Sequence, residues 1–180
     1  MKILAIIWQK LDVIRGIFWR LLNIIEVLMT RKKKMDKDQL MKELIGDEGF
    51  EYEIYLDHLG YETLGVGHLI TKKDEEYGKQ VGTPVSEDRI KECLDNDIEI
   101  VCQELDMKEP WWRSLDDNRQ RVVANMCFNL GQPRFSGFKK FIHAMQVSDW
   151  ERAAEEMMDS KWASQVGDRA KRLRNRVLQG

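Results

Sequence analysis

The sequence predicts an α+β fold that is mainly helical, with a small β-meander lobe and a helical bundle joined by one long helix and a cleft between the two parts. Three observations carry this. Strand-like alternation is confined to residues 51–69, where Tyr52, Ile54 and Leu56 alternate with Glu53, Tyr55 and Asp57 and glycines punctuate the turns. After Pro84 the apolar residues recur at helical spacing and no strand signal returns. The chain of 180 residues is also long enough for one domain with a real core and sequence to spare. Two parts follow: residues 1–35, an amphipathic helix and basic linker, and residues 36–180, the folded domain.

In the first part, a helical projection gathers Asp12, Arg15, Gly16, Arg20, Asn23, Glu26 and Thr30 on one arc and leaves only Lys10 among the charged side chains opposite. Trp8 and Trp19 fall near the boundary of the two faces, and the basic run Arg31 to Lys34 follows. This pattern predicts association with a membrane surface through residues 1–34. A spanning helix fits poorly, because Lys10, Asp12, Arg15 and Arg20 would each cost roughly 2.5–3.5 kcal/mol near the bilayer centre. Nor is there the small-residue cleavage site of a secretory signal. The alternative is that the apolar face packs on the domain or on a second copy.

In the second part, Leu40, Met41, Leu44 and Ile45 place a short helix over 38–48 that stops near Gly49. The meander follows, with a turn at His58-Leu59-Gly60, and then a charged, glycine-containing loop over 71–83. A long helix is predicted over 84–105, with Ser86 as its cap and Ile90, Leu94, Ile98, Val101 and Leu105 as its buried stripe. Pro110-Trp-Trp interrupts. Leu115-Asp116 then opens a more apolar helix, expected to be the most buried of the domain, which ends at Gly131-Gln-Pro133. Three further helices are expected over 138–145, over 150–158 and from about 168.

The net charge of −2 conceals two basic clusters, Arg31 to Lys34 and Arg169 to Arg176, around an acid-rich middle. No nucleic-acid partner is expected. Cys93, Cys102 and Cys127 are widely spaced, with no CxxC pair, which excludes the usual zinc and redox signatures and makes them small core residues. Neither metal nor cofactor is expected.

The order Glu48, Asp57, Thr63, then Leu64-Gly-Val-Gly-His68, resembles the active-site region of the phage-type lysozymes, endolysins of glycoside hydrolase family 24 and of the T-even coliphage type in particular. The resemblance continues through Ser114-Leu-Asp-Asp-Asn-Arg119, Asn125-Met-Cys-Phe-Asn-Leu-Gly131, Gly137-Phe138, Trp150-Glu-Arg-Ala-Ala154, Ser160-Lys-Trp162 and Arg169-Ala-Lys-Arg172. It covers the chain from about residue 36 onward and implies a lysozyme-like fold.

The same resemblance implies a peptidoglycan N-acetylmuramidase that inverts the anomeric centre, acts as a monomer and lyses a bacterial host. It would be made in the host cytoplasm and act on the wall in the periplasm. Such chemistry needs one carboxyl that is still protonated and a second carboxylate that stays ionised, so their environments must differ. Glu48, at a helix end facing the bundle, is expected to be partly desolvated and to serve as the acid. Asp57, beside a glycine turn, is wetter, and Thr63 on the facing strand would hold the attacking water against it. Without that role, Glu48 is a surface acid at the unfavourable end of a helix and Thr63 an ordinary strand residue. Asp47 is the rival acid.

His68 is expected to pair with Asp97, and Arg169 to bond Glu48, as supporting contacts. Leu69 and Phe128 are expected to offer apolar surface to sugar rings, although both suit a core, and Gln165 a hydrogen bond. At two further sugar-binding positions the chain departs from the family pattern, with Phe141 and Glu156. Its 71–83 loop is shorter, and it stops soon after the basic helix, so an apolar surface is expected there for residues 1–30 to cover. The alternatives are a non-enzymatic wall- or membrane-binding protein on this scaffold, and a lytic transglycosylase or chitinase-like enzyme.

Overall fold

The computed structural model describes residues 35–180; the amphipathic helix and basic linker expected over residues 1–34, and any surface they would cover, lie outside the described residues. The chain enters through α1 (Lys37–Glu48), whose cap Asp36 accepts from the Gln39 N–H at 2.9 Å and whose last turn is released by Gly49 at φ 89°. Leu40 and Leu44 bury one side of it.

The meander is a three-stranded antiparallel sheet in sequence order: β1 (Glu51–Leu56), β2 (Glu62–Gly65) and β3 (His68–Leu69). Tyr55 stands opposite Thr63, Leu56 opposite Glu62, and Thr63 opposite Leu69. The backbone changes hand at Gly65, φ 60°, where a Cβ would come within 2.3 Å of the Ile90 side chain; this close approach fixes the sheet on the long helix. Only Ile54 of the alternating apolar set in β1 is buried, while Tyr52 and Leu56 face solvent.

The long helix α2 is Glu87–Lys108, starting three residues later than the sequence pattern suggested. The reason is an edge. Pro84 bridges Glu53, and the N–H groups of Val85 and Gly82 donate to Tyr52 and Ile54, so residues 82–85 cover the open side of β1 before Ser86 caps the helix. In the preceding loop the buried Glu76 and Asp74 both converge on Arg89 of α2, at 3.0 and 3.4 Å.

A 3-10 turn (Pro110–Ser114) buries Trp112, whose indole N–H donates to Asp106. The bundle follows as α3 (Asp117–Leu130), α4 (Gln132–Phe135), α5 (Lys139–Gln146), α6 (Trp150–Met158), α7 (Lys161–Val166) and α8 (Asp168–Gln179). As expected, α3 is the central element, buried continuously from Arg119 to Cys127. The three cysteines are free and buried, and burial pushes the Cys93 and Cys127 thiols up to about 11 and about 12. Among the described residues no helix is long and apolar enough to cross a membrane.

Candidate active site

The end of α1 carries acids where a helix end disfavours them, and no basic residue of its own compensates in the last turn. The compensation comes from the last helix. Glu43, Asp47 and Glu48 face Arg176, Arg172 and Arg169 of α8, which runs antiparallel to them in pairing order. A third row comes from α3, where Arg121, Asn125 and Asn129 recur every fourth residue and turn the same face to these acids.

At the centre of this ladder, Asp47 is 5% exposed and fully engaged. Asn125 Nδ2 donates to its Oδ2 at 2.9 Å, Arg169 Nε lies 3.3 Å from the same oxygen, and Arg172 binds Oδ1. Its neighbour Glu48 is held differently. Arg169 Nη1 donates to Glu48 Oε1 at 2.6 Å and Asn129 Nδ2 to the same oxygen at 3.2 Å, while Oε2 has no hydrogen bond among the described residues. The side chain is 26% exposed, three-quarters covered but reachable. Asn129 is oriented in turn by Trp162, whose indole N–H donates to its Oδ1 at 2.8 Å, so the amide nitrogen must face Glu48.

On the lobe, Asp57 closes the β1–β2 hairpin. Its Oδ1 accepts the N–H groups of Leu59 and Tyr61, each at 2.8 Å, in the manner of an Asx turn, which leaves Oδ2 without a hydrogen bond among the described residues. These bonds from backbone N–H groups, that of Tyr61 first, hold the Asp57 carboxyl below the usual carboxylate range. Thr63 is 3% exposed, and its hydroxyl donates to the Tyr61 carbonyl at 3.0 Å, which turns the oxygen lone pairs away from that bond. The backbone of one residue, Tyr61, therefore aligns both side chains through its N–H and its carbonyl.

Register explains the rest of this face. Residues directly opposite each other share a side of the sheet, so Tyr55, Thr63 and Leu69 form one row across the three strands. Tyr55 feels the charge of both candidate acids. Burial raises its phenol pKa first, and the negative charges of Glu51, Glu48 and Asp57 raise it further. The phenol thus stays a proton-bearing donor within electrostatic reach of both acids.

His68 places Nδ1 2.9 Å from Asp97 Oδ2 and Nε2 3.2 Å from Asp74, linking β3, the 71–83 loop and α2. Leu69 is 50% exposed on the row described above. Phe128 is partly buried against the core, and Gln165 is exposed on α7. The two departures from the family pattern have clear fates. Phe141 is 1% exposed and packs edge-on against Phe135 within the core, and Glu156 is paired with Arg152. Both border a cavity of about 710 Å³ that contains neither acid, but its wall Phe138 meets Trp162 edge-on, one contact from Asn129.

Sequence reasoning missed Tyr55, Asn125, Asn129 and the Glu43 ladder. A signal existed: Arg121, Asn125 and Asn129 form a polar stripe at helical spacing in the helix expected to be the most buried of the domain.

The profile of the phage lysozyme family matches residues 46–179. The chain is 30% identical to a protein named probable T4-type lysozyme 2 of Dictyostelium discoideum, over 71% of this chain and 86% of that protein. A second from the same organism, probable T4-type lysozyme 1, is 28% identical over the same shares. It is also 30% identical to the pre-baseplate central spike protein Gp5 of Enterobacteria phage T4, over 74% of this chain but only 26% of the spike protein's length. With the match spanning α1's acidic end, the whole meander and nearly all of the bundle, the chain belongs to the phage lysozyme family.

Proposed function

We propose that this protein is a peptidoglycan N-acetylmuramidase, hydrolysing the β-1,4 bond between N-acetylmuramic acid and N-acetylglucosamine, with Glu48 as general acid and Asp57 and Thr63 as the pair that activates water. One observation carries this reading. Each of the two carboxylates has one oxygen pinned by donors and the other open: Oε2 of Glu48 and Oδ2 of Asp57. The pinned oxygen fixes orientation and the open one does the chemistry.

In the proposed reaction Glu48 Oε2 gives its proton to the glycosidic oxygen as that bond breaks. A bound glycan covers the remaining exposed part of the Glu48 side chain and excludes water from the reacting bond. Arg169 keeps the carboxyl from rotating and stabilises the negative charge that remains on Glu48 after the proton has left. A water on the opposite side of the sugar gives one hydrogen bond to Asp57 Oδ2 and one to Thr63 Oγ1, whose own hydrogen is committed to Tyr61. Asp57 takes the proton as oxygen attacks the anomeric carbon, a single displacement that inverts it. Asp47 is unsuited to either role, because both of its oxygens are occupied.

The amphipathic pattern of residues 1–34 supports association with an anionic membrane surface beside the wall, with host lysis as the outcome. Mass spectrometry of the products from purified walls tests the reaction. Saturated, reducing N-acetylmuramic ends are expected. Anhydro ends would instead mark a transglycosylase, N-acetylglucosamine reducing ends a different glycosidase, and no release of fragments a binding protein.

A further inference from the structure

Tyr61 is held more firmly than its exposure suggests. Its side chain belongs to a residue 57% open to solvent, yet its backbone makes three bonds: N–H to Asp57 Oδ1, and carbonyl to the Asp57 N–H at 3.0 Å and to the Thr63 hydroxyl. No hydrogen bond of its phenol is present among the described residues.

The sheet register says where this ring points. Just beyond the ends of β1 and β2 the Asp57 N–H donates to the Tyr61 carbonyl, so the same alternation carries these two residues onto the face of Tyr55 and Thr63, with Leu69 completing the row across β3. Tyr61, the residue just before β2, lies two residues from Thr63, a separation of about 7 Å for extended backbone, comparable with one hexose ring. A glycan cleaved between Glu48 and Asp57 and running along this face would thus place its next sugar over Tyr61.

We infer that Tyr61 is an aromatic platform for a sugar ring of the glycan chain, an outer subsite built onto the same backbone that aligns Asp57 and Thr63. This rests on the muramidase reading given above. The chemistry is that of an amphipathic ring meeting the apolar C–H face of an N-acetylated hexosamine, with little entropy lost because only two side-chain torsions remain to be fixed. Joined to Asp57 through its backbone, the platform sets the register of the chain relative to the catalytic centre.

The test compares Tyr61→Ala, Tyr61→Phe and Tyr61→Trp in the full chain. All three keep the backbone bonds. On soluble, uncross-linked glycan strands, Tyr61→Ala is expected to raise KM about tenfold with a much smaller change in kcat, while Phe and Trp stay within about twofold of the wild type. In a Glu48→Gln background, the affinity for the same strands should fall by a similar factor with Ala alone. An unchanged KM for Tyr61→Ala overturns the platform, as does a loss carried by kcat, which would mean disturbed alignment of Asp57. A Tyr61→Phe variant as weak as Tyr61→Ala also overturns it, since the hydroxyl and not the ring would then be the contact. A wild-type protein that neither cleaves nor binds glycan strands defeats the muramidase reading itself, which separates the two failures.

Discussion

Arg169 Nη1 lies 2.6 Å from Glu48 Oε1, joining the last helix to the end of the first across 121 positions of sequence. The same guanidinium donates from Nε to Asn125 Oδ1 at 2.9 Å and lies 3.3 Å from Asp47 through that nitrogen. It serves two adjacent acids and an amide at once, which only a planar fork of donors can do.

Replacing Arg169 by Lys should therefore keep a positive charge but lose the geometry. We expect kcat on purified walls to fall about 10–100-fold with KM little changed, because an orienting contact felt in the transition state is removed. An Arg169→Lys enzyme with wild-type kcat would show that Glu48 needs the charge only.

Asn125 is buried between Asp47 and Arg169, donating to the Asp47 carboxylate and accepting from the Arg169 guanidinium. Truncation to Ala leaves both a buried carboxylate oxygen and a guanidinium nitrogen short of a partner. A loss of about 2–3 kcal/mol in urea-unfolding stability is expected. Val122, fully buried on the same helix but away from the ladder, provides a control by Val→Ala that creates a cavity without stranding a charge.

His68 gives the lobe a pH dependence with a defined sign. Its hydrogen bond to Asp97, and then the charges of Asp97 and Asp74, raise its pKa above 6.5 against the opposing effect of burial. A raised folded value means the contribution to stability is complete below about 6.5 and is lost as pH climbs through the folded pKa. Asp74 works in the other direction. Bonds from Thr71 and His68 outweigh burial, lowering it below 3.8, so its contribution is present above that pH and fades on acidification. The Tm difference between wild type and His68→Asn should thus be greatest between about pH 4 and 6.5 and shrink toward pH 9. A difference that stays constant over that range would mean that packing, not protonation, is what His68 supplies.

Much of this fold was legible because local signals agreed with it. Ser86, read as a cap from the sequence, caps the long helix in the structure, and the switch from alternating to helical periodicity marks the lobe from the bundle. The start of α2 was misjudged because pairing of residues 82–85 with β1 is a tertiary event that helix propensity does not encode. Phe141 was harder still. From sequence it stands at a sugar-binding position, yet its contact with Phe135 takes it into the core, and only packing decides between those fates. Of the ladder, the rung of Glu48 with Arg169 was expected from the family resemblance, but those of Glu43 with Arg176 and Asp47 with Arg172 could not be paired by inspection, since each joins residues more than a hundred positions apart.

The sharpest test of the catalytic assignment is the rate of turbidity loss of purified cell walls with Glu48→Gln and Asp47→Asn measured side by side, with circular dichroism confirming that both fold. Glu48→Gln keeps the shape and the contact to Arg169 but has no proton to give, so a loss of about 10²–10⁴-fold or more is expected, whereas Asp47→Asn should lose stability and retain most of its activity per folded molecule. A folded Glu48→Gln protein that clears walls at the wild-type rate would contradict the assignment outright.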